Sequence, residues 1–125
     1  MRVLMISDVY FPRINGVSTS IETFRNQLTP LGIETLLIAP RYGSEPDESG
    51  IFRIPAHRLP IDPEDRWMSH RTAMQVANGL SGIDLVHIQT PFMAHAVGIK
   101  LARCWGVPVV STYHTLFEEY FHHYL

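Results

Sequence analysis

The stretch PRINGVSTSI, residues 12–21, sets the pair Asn15-Gly16 ahead of a run of small hydroxyl residues and an apolar one, and Gly16 is the only glycine between Met1 and Leu31. A glycine just before a helix lets a ligand come close to the backbone. The first N–H groups of the helix, with its dipole, then favour an anion such as phosphate. Gly16 and Val17 are therefore candidate phosphate-binding residues. The competing reading is that Asn15-Gly16 only turns the chain into the helix.

Other polar groups fall where apolar runs end. Asp8 and Tyr10 follow the run Val3 to Ile6, Gln89 and Thr90 follow DLVHI, and Tyr113, His114 and Thr115 follow VPVVST. An imidazole at a strand end can hydrogen-bond a sugar hydroxyl or move a proton, or it can simply pack there. Asp8 has three open readings: it binds ligand, caps the loop, or is solvated. His87 alternates with Val86 and Ile88 inside an apolar run and reads as structural. The neighbours His122 and His123 diverge and lack a completing thiol or carboxylate, so no metal site is expected. Cys104 is the only cysteine, which rules out an internal disulfide and reads as a buried small hydrophobe in a reducing compartment.

The elements that must position these groups follow from periodicity. Val3–Ile6 reads as a strand covered on both faces. Val17, Ile21, Phe24 and Leu28 share one face of a helix, with Thr19 and Glu22 spaced as a reciprocal cap and Gly32 as the stop. A second strand is expected at Glu34–Ala39 and a third, weaker one at Ile51–Ile54 that takes in Arg58–Leu59 as well, with loops at 40–50 and 61–67. A helix is expected over Ser69–Leu80, facing inward with Ala73, Val76, Ala77 and Leu80. A fourth strand covers Asp84–Ile88. Thr90 as cap and Pro91 at the first helical position open a helix that runs to about Trp105, with Ala94, Val97, Leu101 and Cys104 on one face. Val107–Thr112 is the last strand.

This alternation implies an α/β fold, a Rossmann-like open parallel sheet with helices on both faces. Ligands of such sheets bind beyond the carboxyl ends of the strands where strand order reverses, which gathers all the candidate residues on one edge. A nicotinamide site is disfavoured because G-x-G-x-x-G is missing, and the lysine-bearing phosphate loop is missing too. Ten basic against twelve acidic residues, a net charge of -2, disfavours nucleic acid as a partner. The first residues, MRVLMISD, are too short an apolar run for a signal peptide.

Together PRINGVSTSI, LVHIQTPF and STYHTLFEEYFHHYL resemble the amino-terminal lobe of family-4 glycosyltransferases, retaining enzymes of two Rossmann-like lobes (the GT-B fold). The resemblance implies that residues 1–125 are a partial amino-terminal, acceptor-side domain whose carboxyl-terminal nucleotide-sugar lobe lies outside the chain. It implies a hexosyltransferase that moves a sugar from a donor such as a UDP- or GDP-sugar, with no metal and no other cofactor, and a piece inactive by itself. Gly16 and Val17 would meet the donor diphosphate, and His114 would stand at the reaction centre as the catalytic residue. Asp8, Tyr10, Asn15, Gln89, Thr90, Tyr113 and Thr115 would contact acceptor or sugar. Leu116, Phe117, Tyr120, Phe121 and Tyr124 would either meet a lipid acceptor at the inner face of the membrane or pack on the rest of the domain, in a cytoplasmic, peripherally bound protein of glycolipid synthesis. The alternative is a free-standing phosphate-ligand or flavin-binding α/β domain without catalysis.

Overall fold

The structure, a computed structural model, describes residues 1–58 and 66–112. Tyr113, His114, Thr115, the aromatic run that follows, and Leu59 with residues 61–65 lie outside the described residues.

Strand β1 (Arg2–Ile6) is the hub of the sheet, because its neighbours on the two sides come from different parts of the chain. On one side lie β2 (Glu34–Pro40) and then β3 (Ile51–Ile54); on the other lie β6 (Leu85–Ile88) and then β7 (Val109–Ser111). All of these pairs are parallel, with Leu4 opposite both Leu36 and Val86. Strand order therefore reverses between β1 and β6, the place where open sheets take their ligands.

The pleat sorts the apolar run of β1 onto two cores. Leu4 and Ile6 join Leu36, Ile38, Val86 and Ile88 beneath helices α2 (His70–Asn78) and α3 (Met93–Trp105). Val3 and Met5 face the other way and join Leu37, Val17 and Ile21 beneath α1 (Gly16–Leu28). Helices thus cover both faces, as the alternation predicts. Leu4, Ile6, Leu37 and Ile38 have no exposed surface, and each such side chain contributes roughly 1.5–3 kcal/mol of burial.

Several local expectations are corrected. The start of α1 is capped by Asn15, whose side chain accepts the Ser18 N–H at 3.0 Å, and Thr19 instead donates its hydroxyl back to the Asn15 carbonyl. A short 3-10 turn (Thr29–Leu31) extends α1 before Gly32 closes it at φ 78°. Arg66 and Trp67, expected in a loop, belong to β5 (Arg66–Met68), which pairs antiparallel with β4 (Ala56–Arg58). Three-residue strands carry too little alternation to be read from sequence. Helix α3 starts at Met93, later than Thr90-Pro91 suggests, and Cys104 on its last turn is exposed instead of buried.

Candidate functional site

Strands β1, β6 and β7 end side by side, with Ile6 opposite Ile88 and Ile88 opposite Ser111. The loops that leave them, residues 7–15, 89–92 and from Thr112 onward, therefore start from one edge. This edge holds a concentration of buried polar side chains: Ser7, Asp8, Gln89 and Thr90 are all under 6% exposed.

Asp8 makes the densest contacts. Its N–H donates to Thr90 Oγ1 at 2.7 Å, and the same hydroxyl donates back to Asp8 Oδ2 at 2.5 Å. The Ala94 N–H reaches both carboxylate oxygens at 3.2 and 3.3 Å. Phe92, the residue in the cap position of α3, offers no side-chain bond there. The cap of α3 is thus supplied from another loop, by Asp8. Burial pushes the Asp8 carboxyl from 3.8 up to about 6, opposed by the hydrogen bonds from Thr90 and from the amides of Ala94, Met93 and Phe92. Of the three roles open to Asp8, the structure displays the cap, made to α3. Thr90 spends its hydroxyl on Asp8, which explains why it does not cap the helix that follows it.

The start of α1 is different. Asn15 takes only the Ser18 amide, and the Thr19 amide bonds the Asn15 carbonyl. The N–H groups of Gly16 and Val17 have no acceptor among the described residues, as expected for the first turn of a helix. Gly16 is exposed, and a Cβ built on it would meet nothing within 4 Å. The fold itself places no demand for glycine at this position. Two helix N-termini thus face the switch-point edge; one is filled by Asp8 and the other is open.

The remaining candidates divide sharply. Tyr10 is 2% exposed, and its hydroxyl donates to Glu22 at 2.5 Å while accepting from Arg25 at 2.8 Å, so it braces α1. Burial first, then the bond to Glu22, pushes this phenol up to about 12. Gln89 is fully buried; its amide nitrogen reaches Met5 Sδ at 3.4 Å and the His87 ring at 3.2 Å, while its Oε1 has no partner among the described residues. Exchanging the amide oxygen and nitrogen would leave a nitrogen unpaired instead, so one polar end of Gln89 is open in either orientation. His87 bonds Thr112 Oγ1 at 2.6 Å and meets the Phe24 ring at 5.1 Å, which bears out its structural reading.

Two contributors escape sequence reasoning. Tyr42, in a loop read as merely exposed, accepts the Tyr10 N–H at 3.3 Å and so braces the first loop. Arg53 lies over the Tyr10 ring at 5.2 Å and donates to the Pro40 carbonyl. Only the aromatic character of a loop tyrosine hinted at the first, and nothing periodic marks the second. A polar groove of about 410 Å³, lined by Glu22, Arg25, Asn26 and Thr29, lies toward the start of β2 and away from these loops. Among the described residues no three His, Cys, Asp or Glu side chains converge to hold a metal.

The profile of Glycosyltransferase Family 4 matches residues 14–125, a span that includes Asn15-Gly16 and both later strand ends. The chain belongs to this glycosyltransferase family. It is 33% identical to an alpha-monoglucosyldiacylglycerol synthase of Streptococcus pneumoniae, over 98% of this chain and 29% of that protein. It is 30% identical to a GDP-mannose-dependent alpha-mannosyltransferase of Mycobacterium tuberculosis, over 92% of this chain and 32% of that one. The chain thus spans about a third of the length of the curated relatives it matches. The crystal structure of MurG from Acinetobacter baumannii superposes with a TM-score of 0.59 at 20% identity, over 88% of this chain and 34% of that one. That likeness is one of fold, the Rossmann-like lobe expected for the amino-terminal part of a GT-B glycosyltransferase. Membership in the family gives the open end of α1 a chemical context.

Proposed function

We propose that this chain forms the acceptor-side lobe of a hexosyltransferase that moves a sugar from a nucleotide-sugar donor, such as a UDP- or GDP-sugar, to a lipid acceptor with retention at the anomeric carbon. The observation that carries the reading is the open amino terminus of α1 at the switch point, in a chain of a glycosyltransferase family. The Gly16 and Val17 amides, with the partial positive charge of the helix end, are suited to a donor diphosphate. Preorganised donors of this kind gain strength as negative charge grows on the departing phosphate.

In the reaction the bond from the anomeric carbon to the diphosphate oxygen breaks and the bond to the acceptor oxygen forms on the same face. The acceptor proton passes to the leaving phosphate. His114 is assigned to the sugar near this centre. Gln89 is fully buried, and its one polar end unpaired among the described residues is suited to a water that holds a sugar hydroxyl. Asp8, Tyr10 and Thr90 have their polar groups engaged within the chain, so they act on the loops' shape more readily than on substrate. Asn15, Tyr113 and Thr115 complete the assigned contacts. The chemistry needs no metal, because charge is met by N–H donors.

Two relatives, one of S. pneumoniae and one of Acholeplasma laidlawii, carry the name alpha-monoglucosyldiacylglycerol synthase, which favours a lipid of the diacylglycerol class as acceptor. No helix among the described residues is long and apolar enough to cross a membrane; peripheral contact with such a lipid is part of the proposal. The test is transfer from labelled UDP-glucose and GDP-mannose to diacylglycerol vesicles by the enzyme that contains this lobe, with and without EDTA. An alpha-linked glycolipid formed equally well in EDTA is expected. A beta-linked product would reject retention, and a rate abolished by EDTA would reject the metal-free mechanism.

A further inference from the structure

A succession of hydrogen bonds, joined through the backbone at residues 7–10, runs from the loop after β6 to the first turn of α1. Thr90 exchanges two bonds with Asp8, and Ser7 Oγ holds both the N–H and the carbonyl of Val9. The Arg13 N–H donates to the Tyr10 carbonyl at 3.0 Å, the Ser18 hydroxyl donates to the Arg13 carbonyl at 2.6 Å, and Asn15 caps the Ser18 amide. At its other end the series is anchored on α3 through the Ala94 amide.

We propose that Asp8 and Thr90 form a clasp across the switch point, a pair of positioning residues that hold the first loop in register and so aim the Gly16 and Val17 amides at the ligand phosphate. The inference rests on the phosphate reading given above. Asp8 also fills the α3 terminus with a carboxylate of the chain's own, so an incoming phosphate meets one vacant helix end instead of two. The hydroxyl of Thr90 is what ties the halves together: it is the only atom that bonds Asp8 through both backbone and side chain among the described residues. Buried hydrogen-bond networks of this kind lose rigidity when one member is left unpaired.

The test is an NMR titration of the 125-residue protein with inorganic pyrophosphate, following backbone amides. In the wild-type protein the Gly16 and Val17 signals are expected to shift saturably, while those of Met93 and Ala94 stay in place. Thr90→Val keeps the shape of the side chain but removes both bonds, and should raise the apparent dissociation constant at Gly16 at least fivefold. Thr90→Ser restores the hydroxyl and should return it to within twofold of wild type. Where the buried valine prevents folding, Thr90→Ala is compared in the same way, with retained amide dispersion as the criterion of a folded chain. A wild-type protein whose Gly16 amide does not respond overturns the phosphate reading and the clasp with it. A wild-type response left unchanged by Thr90→Val or Thr90→Ala overturns the clasp alone, and a shift at Met93 or Ala94 overturns the claim that the α3 end is filled.

Discussion

Asp8 shows how one side chain acquires a role that its neighbours in sequence do not announce. Its oxygens are engaged by groups 82 and 86 positions away, Thr90 and Ala94, so its function as a helix cap exists only in the folded chain. Because burial raises its folded value to about 6 from 3.8, the folded state holds the proton more tightly than the unfolded state between those limits. Stability from this group is therefore present at low pH and is lost as pH rises through that window, by about 3 kcal/mol in total. Urea unfolding of wild type and Asp8→Asn at pH 4 and pH 7 should show the difference between the two proteins moving by most of that amount, about 2 kcal/mol, toward the asparagine variant; a difference independent of pH would contradict it. Asn15 and Gly16 separate stability from ligand binding at adjacent positions. Asn15→Ala removes a cap and should cost about 1 kcal/mol. A Cβ at Gly16 meets open space, so the unfolding midpoint of Gly16→Ala should stay near that of wild type while its pyrophosphate response falls.

Glycine carries another meaning at the scale of elements. Helix α3 lies against β6 so closely that a Cβ on Gly98 would fall 2.5 Å from Ile88 Cγ1 and 2.8 Å from Cδ1. Gly98→Ala should therefore cost about 1–3 kcal/mol through overpacking despite its better helix propensity, measurable by chemical denaturation. The contrast with Gly16 tests whether each glycine serves the fold or the ligand. The helical period places Gly98 inside a helix and carries no sign of its contact, since close approach is a property of two elements. Helix α1 is legible because Val17, Ile21 and Phe24 keep that period. Its cap is not, because Asn15 and Thr19 both satisfy capping chemistry, and only the backbone path decides between them.

The molecule as a whole resolves into two cores on the faces of one sheet, with its polar groups collected at the edge where strand order reverses. A single lobe of this kind presents donors to one side of a ligand. The 125-residue chain, about a third of the length of its curated relatives, is expected to give no transfer with a nucleotide sugar and acceptor when assayed alone. Turnover above the uncatalysed background by this chain would refute that expectation. Binding of pyrophosphate without turnover would place the phosphate contact in this lobe and the remaining catalytic groups elsewhere.

From the sequence by itself came the order along the chain of the five parallel strands and three α-helices, the two-faced burial of β1, and the candidate loops, because apolar period and breaker residues act over a few neighbours. Gly16 at a helix start and the polar groups at strand ends were legible for the same reason. What tertiary structure alone decided was which of two helix termini stays open. Asp8 could close either loop or meet ligand by its type and position, and only the parallel pairing of β1 with β6 brings it beneath α3 and beside Thr90. Partnership across some eighty residues leaves no local trace, since it depends on strand register and not on the spacing of residue types along the chain.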